Sequence, residues 1–335
     1  MSFLAAGDNL FHETFFEPAK TEEGYDFSPI YSEVKDLVEK ADLAFINQET
    51  VMAGEEKGFW GYPLFNTPRE LAPALAQTGF DIINHANNHA MDMGEAGLLA
   101  TLDLWDTIPN ITVIGAQRTE ISYRIITRNN ISLGFLSYTY GLNGNPLPKD
   151  RPNLVSLINR KKMEEDITAL RPLCDFLIVS MHWGDEYSGE PTPYQTGLAA
   201  FLAQHNVDLV IGHHPHVLQR FESLPRPDGK NTLCFYSLGN FAAHQRQKER
   251  ILGAMMHVTF IKEGEELSIV DPALIPVVCH FDSNYSGTKV YPLYSYTEEL
   301  LKNHRSRASD NTLTIDYFHS AVKGLHTKII MSNEQ

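Results

Sequence analysis

The chain of 335 residues has a formal net charge of −15, with 43% hydrophobic and 21% charged residues. That is the balance of an ordinary globular protein, long enough for one elaborate domain or two. No basic surface is in surplus, which argues against a general binder of nucleic acid or anionic membrane, and an anionic substrate would need a local positive site of the kind metal ions supply.

In chain order, the opening MSFLAAGDN lacks a basic stretch followed by a long apolar run. Neither a signal peptide nor a membrane-spanning segment is therefore expected in this chain, and a cytoplasmic location is, with cell-surface association the alternative for a trimmed chain. The short apolar runs FLAAGD, LAFINQE, FDIINHA, LGFLSY, DFLIVSMH, VDLVIGH and LCFYSL follow, separated by helix-like segments. Runs this short, without strict polar alternation, suit strands covered on both faces and predict an α/β layered fold. Ser28-Pro29, Thr67-Pro68 and Thr192-Pro193 each set a capping hydroxyl before a proline suited to a first helical turn. Thr67 with Glu70, and Thr192 with Gln195, read as capping boxes, and Gly79 as a helix-terminating glycine. Segments 95–108 and 159–173 have helical apolar spacing, and irregular stretches at 54–66, 141–153, 184–191 and 242–252 read as functional rims. From about residue 286 the pattern suggests a helical extension, 286–335, packed on a main domain of residues 1–285.

The strand ends carry the polar residues. FLAAG ends in Asp8, LAFINQ in Glu49, FDIIN runs into His85-Ala86-Asn87-Asn88-His89, FLIVSM ends in His182, and DLVIG ends in the run His213 to His216. In α/β sheets ligands bind at the carboxyl ends of strands. Taken singly, Asp8-Asn9 reads as a turn, Glu49 as a solvated charge, His182 beside Trp183 as a packed histidine, and Asn88 or Asp92 as a helix cap. Five such coincidences at successive strand ends point instead to a metal site. Extended geometry puts His214 and His216 on one face and His213 on the other, so His213 is left out of the ligand set. Cys174, Cys234 and Cys279 are far apart with no CxxC pair, so no disulfide framework or thiolate zinc site is expected and a reducing compartment fits. The N and O donors favour two divalent ions, Mn, Fe or Zn with Mg as a further candidate, bridged by a carboxylate such as Glu49.

The residues Gly7-Asp8, Asn47-Gln48-Glu49-Thr50, Asn87-Asn88-His89 with Asp92 and Gly94, His182-Trp183-Gly184 with Glu186-Tyr187, Gly212 to Val217 and Tyr236 to Phe241 occur in that order. This series resembles the bacterial CapA/PgsA poly-γ-glutamate capsule-biosynthesis family, within the calcineurin-like metallophosphoesterase superfamily, over about residues 3–285. The resemblance implies a four-layer α/β/β/α sandwich and a hydrolase of phosphoester-type bonds acting on an anionic small molecule or polymer. It makes Asp8 and His216 ligands of one ion, Asn88, His182 and His214 ligands of the other, and Glu49 the bridge. His89 would be the general acid, oriented by Asp92. Leu10 stands where the superfamily usually has histidine, which makes His12 and Asn9 further candidate ligands and brings in a second reading, a metal-bound scaffold that handles polymer without catalysis. Amide hydrolysis would use the same activated water. At the rim, Glu186, Trp60 and a basic group from HQRQKER, Arg246 or Arg250, are candidate substrate contacts.

Overall fold

A computed structural model describes residues 1–332. Its strands begin with β1 (Ser2–Leu10), β2 (Leu43–Gln48), β3 (Ile82–Asn84), β4 (Thr112–Ile114), β5 (Arg124–Arg128), β6 (Ile131–Thr139), β7 (Phe176–His182) and β8 (Leu209–His213). They continue with β9 (Leu218–Pro225), β10 (Asn231–Leu238), β11 (Asn240–Ala243), β12 (Leu252–Glu263), β13 (Glu266–His280), β14 (Lys289–Pro292) and β15 (Lys328–Ile329). The longer helices are α1 (Leu71–Thr78), α2 (Gly94–Asp106), α3 (Arg160–Leu170), α4 (Pro193–Gln204) and α5 (Ile315–Lys323). One sheet runs β14-β13-β12-β1-β2-β3-β4, with β11 beside β1 and β15 beside β13; the second runs β9-β10-β8-β7-β6-β5.

All seven apolar runs form strands, and their composition explains the layering. Every residue of LAFINQ is buried: Leu43 and Phe45 enter the core between the sheets, while Ala44 and Ile46 face the outer layer with Leu71, Ala72 and Leu75 of α1. In the second sheet Ile178, Leu209 and Ile211 point inward, and Leu177, Val179, Met181 and Val210 pack outward on Met163 and Ile167 of α3 and Leu198 and Leu202 of α4. Two-sided burial of this kind is why the runs are continuous rather than alternating. The result is the expected four-layer α/β/β/α sandwich.

Close packing at Gly7 lets β1 change partners. Over Ser2–Ala6 it pairs antiparallel with β12, and from Asp8 it pairs parallel with β11. A Cβ on Gly7 would collide with the Gly239 carbonyl oxygen, the acceptor of the Asp8 amide at 2.9 Å. The bare glycine thus brings the Asp8 carboxylate beside the chain leaving β10.

The predicted helix starts fare unequally. Thr192 and Gln195 form the full capping box at α4, and Gly79, at φ 107°, ends α1. Thr67 does not cap α1, which starts at Leu71; its hydroxyl instead lies 2.8 Å from that of Thr50, in the loop after β2. Ser28 opens a short 3-10 turn, Ser28–Tyr31, and its hydroxyl donates to Asp26. Beyond residue 285 the chain adds β14 and β15 to the first sheet as well as α5, whose Phe318 and Val322 join the inter-sheet core.

His85 makes acid stability measurable. Its Nε2 accepts the Trp105 indole N–H at 2.8 Å inside the fold, and burial lowers its pKa from 6.5 to about 3. The unfolded chain takes up this proton below pH 6.5 and the folded chain does not, so stability present above that pH is lost as pH falls toward about 3. Replacing His85 with Gln keeps an acceptor for Trp105 and removes the titration. Between neutral pH and about pH 4.5 the variant should lose less stability than the parent, by on the order of 2 kcal/mol in urea unfolding. Parallel stability curves for the two proteins would contradict this.

Candidate metal centre

The carboxyl ends of β1, β2, β3, β7 and β8 converge across the two sheets. Asp8, Glu49, His182, His213, His214 and His216 are all buried. Ligand atoms of Asp8, Glu49 and His182 lie within 4.8 Å of one another, as do those of Glu49, His214 and His216. Glu49 is common to both groups, the position a bridging carboxylate needs. Its Oε1 is 3.5 Å from His182 Nε2 and 3.7 Å from His216 Nε2. Asp8 Oδ2 is 3.1 Å from His216 Nδ1, and Asn88 Oδ1 is 2.8 Å from His182 Nε2, so the neighbours paired by the resemblance are in contact while the compact triads cut across that division.

The electrostatics leave this cluster incomplete by itself. Neither Glu49 oxygen has a hydrogen-bond partner. Burial, with Asp8, Glu186 and Asp92 nearby, raises the Glu49 pKa well above its ordinary value. Burial also lowers His182, with His214 adding to the effect, and lowers His214 to about 3, with His216 adding. Asp8 moves the other way: burial alone would raise its pKa, but His213 and His216 hold the carboxyl well below its usual range. Neutral imidazoles around carboxylates with unused lone pairs are the donor set that divalent ions complete.

The strand-tip geometry corrects one expectation. β8 ends at His213, and His214 (φ 98°) and His216 (φ 59°) are left-handed, so the alternation of an extended strand does not apply. His213 is inside the cluster, with Nδ1 3.3 Å from Asp8 Oδ1 and its ring against Phe45 at 5.6 Å. It backs Asp8 rather than facing away.

Beside the cluster, His89 Nδ1 is 2.7 Å from Asp92 Oδ2, which also accepts the Phe65 backbone N–H at 2.8 Å. Asn143, left-handed at φ 51°, places Nδ2 3.3 Å from His89 Nδ1 and accepts from Asn88 Nδ2 at 3.2 Å. Tyr140 lies over His182 and His214, with ring centroids 6.3 and 4.6 Å away. The sequence reading missed both residues. Tyr140 follows directly on β6, so the strand-end rule that found the others would have found it.

The remaining candidates separate. Asn9 donates to Gln48 Oε1 at 2.7 Å and accepts from Tyr31 at 3.0 Å, which commits its amide away from the cluster. Leu10 packs with Phe65 and Ala243, while His12 sits with Nδ1 3.2 Å from the Leu10 carbonyl oxygen and its ring edge-on to Phe65. Trp60 is exposed, its indole on the Lys57 carbonyl; the residue of its loop that meets the site is Phe65, 4.6 Å from the His89 ring. Glu186 is exposed near Glu49 and Tyr187, and of the two arginines at the rim Arg246 is exposed while Arg250 stacks on Tyr187.

The model of the bacterial capsule synthesis protein PGA_cap matches residues 2–245. The chain belongs to the PGA_cap family. It is 30% identical over 275 residues to the PGA biosynthesis protein CapA of Bacillus subtilis, covering 76% of this chain and 66% of that protein. It is 29% identical over 231 residues to the capsule biosynthesis protein CapA of Bacillus anthracis, covering 64% and 54%. This PGA_cap chain therefore spans less than two thirds of either relative's length. Among solved structures it is similar to a hypothetical protein from Thermus thermophilus, with TM-score 0.50, 15% identity and coverage of 82% and 99%. It is also similar to the NAD nucleotidase NadN of Haemophilus influenzae, with TM-score 0.50, 15% identity and coverage of 97% and 66%. Both likenesses concern the fold alone. No helix among the described residues is long and apolar enough to cross a membrane.

Proposed function

We propose that the protein is a metal-dependent hydrolase of phosphoester-type bonds in an anionic substrate, working in poly-γ-glutamate or capsule polymer synthesis. The observation that carries this reading is Glu49: a fully buried carboxylate with both oxygens unpartnered, set between Asp8 and the imidazoles of His182 and His216. Family membership and the names of the Bacillus relatives support the biosynthetic role.

In this reading Asp8, Glu49, Asn88, His182, His214 and His216 hold two divalent ions, Mn, Fe or Zn with Mg as an alternative. Bound ions would polarise the phosphoryl group and activate water. His89 supplies the proton. With Nδ1–H turned to Asp92, Nε2–H is the group that protonates the leaving alkoxide; Asp92 stabilises the imidazolium before that transfer, and the ring is left neutral until it takes up another proton. Phe65, edge-on to that ring at 4.6 Å, helps fix its orientation.

Leu10 favours one second reading. The position where the superfamily places a histidine is filled by an apolar contact with Phe65 and Ala243, which thins the shell around one ion. A metal-bound, polymer-handling scaffold would tolerate that loss. Hydrolysis of bis(p-nitrophenyl) phosphate decides between the two. Turnover that rises on adding Mn²⁺ and disappears with a chelator is the hydrolase result, whereas metal binding without turnover under Mn²⁺, Fe²⁺, Zn²⁺ or Mg²⁺ is the scaffold result.

A further inference from the structure

Arg250 stands at the mouth of the site with its charge uncommitted. Its Cζ lies 3.2 Å from the Tyr187 ring centroid, and that ring lies 6.2 Å from the His216 ring. Both residues are tied to the histidine turn. The Tyr187 amide donates to the Pro215 carbonyl at 2.8 Å. The Arg250 carbonyl accepts from Asn240 Nδ2 at 2.9 Å, while Asn240 Oδ1 is 3.0 Å from His216 Nδ1.

Several arginines of the fold are ion-paired, Arg171 and Arg226 with Asp208 and Arg220 with Glu190 and Glu222. Among the described residues no carboxylate lies within 4.0 Å of the Arg250 guanidinium and no hydrogen bond engages it. A guanidinium stacked on an aromatic face keeps its in-plane N–H donors free for an anion. The surroundings make such a group consequential. Divalent ions would offset Asp8 and Glu49 at the centre, but Glu186 at the rim is acidic, so a second negative group on a substrate, beyond the reacting phosphoryl group, gains from a cation there.

We propose that Arg250 determines specificity by holding a second anionic group, a phosphate or a carboxylate, on a phosphoester whose reacting group sits at Glu49. This rests on the hydrolase reading above. Tyr187 positions the guanidinium by presenting its ring face.

The test uses three p-nitrophenyl phosphodiesters that differ in the second ester group: ethyl, 2-carboxyethyl and 2-phosphonoethyl. The two charged esters separate carboxylate from phosphate preference. The parent should favour at least one of them over the ethyl ester by roughly tenfold in kcat/KM, the worth of a charge-assisted hydrogen bond. Arg250→Gln should bring that ratio close to unity, and Arg250→Lys should restore part of it. Calorimetric binding of 3-phosphonopropionate against ethylphosphonate reads the same contact without turnover, with circular dichroism confirming that each variant is folded. A charged-to-uncharged preference unchanged in folded Arg250→Gln, or absent from the parent in both assays, overturns the assignment. Should the parent hydrolyse none of the esters, a binding ratio lost in Arg250→Gln keeps the anion site and removes the hydrolase reading instead.

Discussion

Replacing His89 with alanine should lower kcat on an alkyl phosphodiester by roughly 10²–10⁴-fold while leaving metal content unchanged. The two effects separate because His89 belongs to neither compact ligand group; its Nδ1 is committed to Asp92 at 2.7 Å, beside the cluster rather than inside it. The loss should grow with the basicity of the leaving group. A p-nitrophenolate leaves with little help, whereas an alkoxide needs its proton, so the alkyl ester should suffer more than the aryl ester. Asp92→Asn should give a smaller decrease, since it weakens orientation and charge stabilisation but keeps the imidazole. Equal losses for good and poor leaving groups, or loss of metal in His89→Ala, would contradict the general-acid role.

Glu49→Gln should produce opposite effects in the presence and absence of metal. In the metal-free protein, burial and three nearby carboxylates raise the Glu49 pKa well above 4.5. The sign follows from linkage: stability present below pH 4.5 is lost as pH rises toward the folded value, because the folded protein must either keep the proton or bury a charge. A glutamine carries no such charge, so the metal-free variant should be at least as stable at neutral pH as the parent. With metal the order reverses. An ion at 100 times its dissociation constant stabilises the parent by about 2.7 kcal/mol. The variant should forfeit this, its affinity falling by more than the roughly 10–100-fold typical of losing an outer partner. Thermal unfolding with and without Mn²⁺ reads both halves; an equal metal-induced shift in parent and variant would remove Glu49 from the centre.

The sequence made the strand ends legible because each buried apolar run stops at a residue it cannot bury without a partner. Asp8, Glu49, His182 and His214 are conspicuous for that reason. Groups whose position depends on contacts distant in sequence were less legible. Thr67 looked like a cap until Thr50, seventeen residues earlier, took its hydroxyl. His213 was assigned to the wrong side because two left-handed residues follow it, a feature that the period of a strand does not anticipate. Asn143 reaches His89 across 54 residues, and Asn9 turns from a candidate ligand into a layer contact because Tyr31 and Gln48 meet it. The long β12–β13 hairpin escaped notice because its paired ends around Glu263 and Glu266 are exposed and only its farther halves read as core. The tail, read as helical, contains helices Glu298–Asn303 and Ile315–Lys323, while β14 and β15, only 4 and 2 residues long, were too short to show a period.

Elemental analysis of protein purified without a metal-affinity step tests the central claim most directly, with the parent and Glu49→Gln measured side by side. Two equivalents of a divalent transition metal in the parent and a clear deficit in the variant are the result expected of a centre bridged by Glu49. A parent without metal that takes up none from Mn²⁺, Fe²⁺ or Zn²⁺ would contradict it.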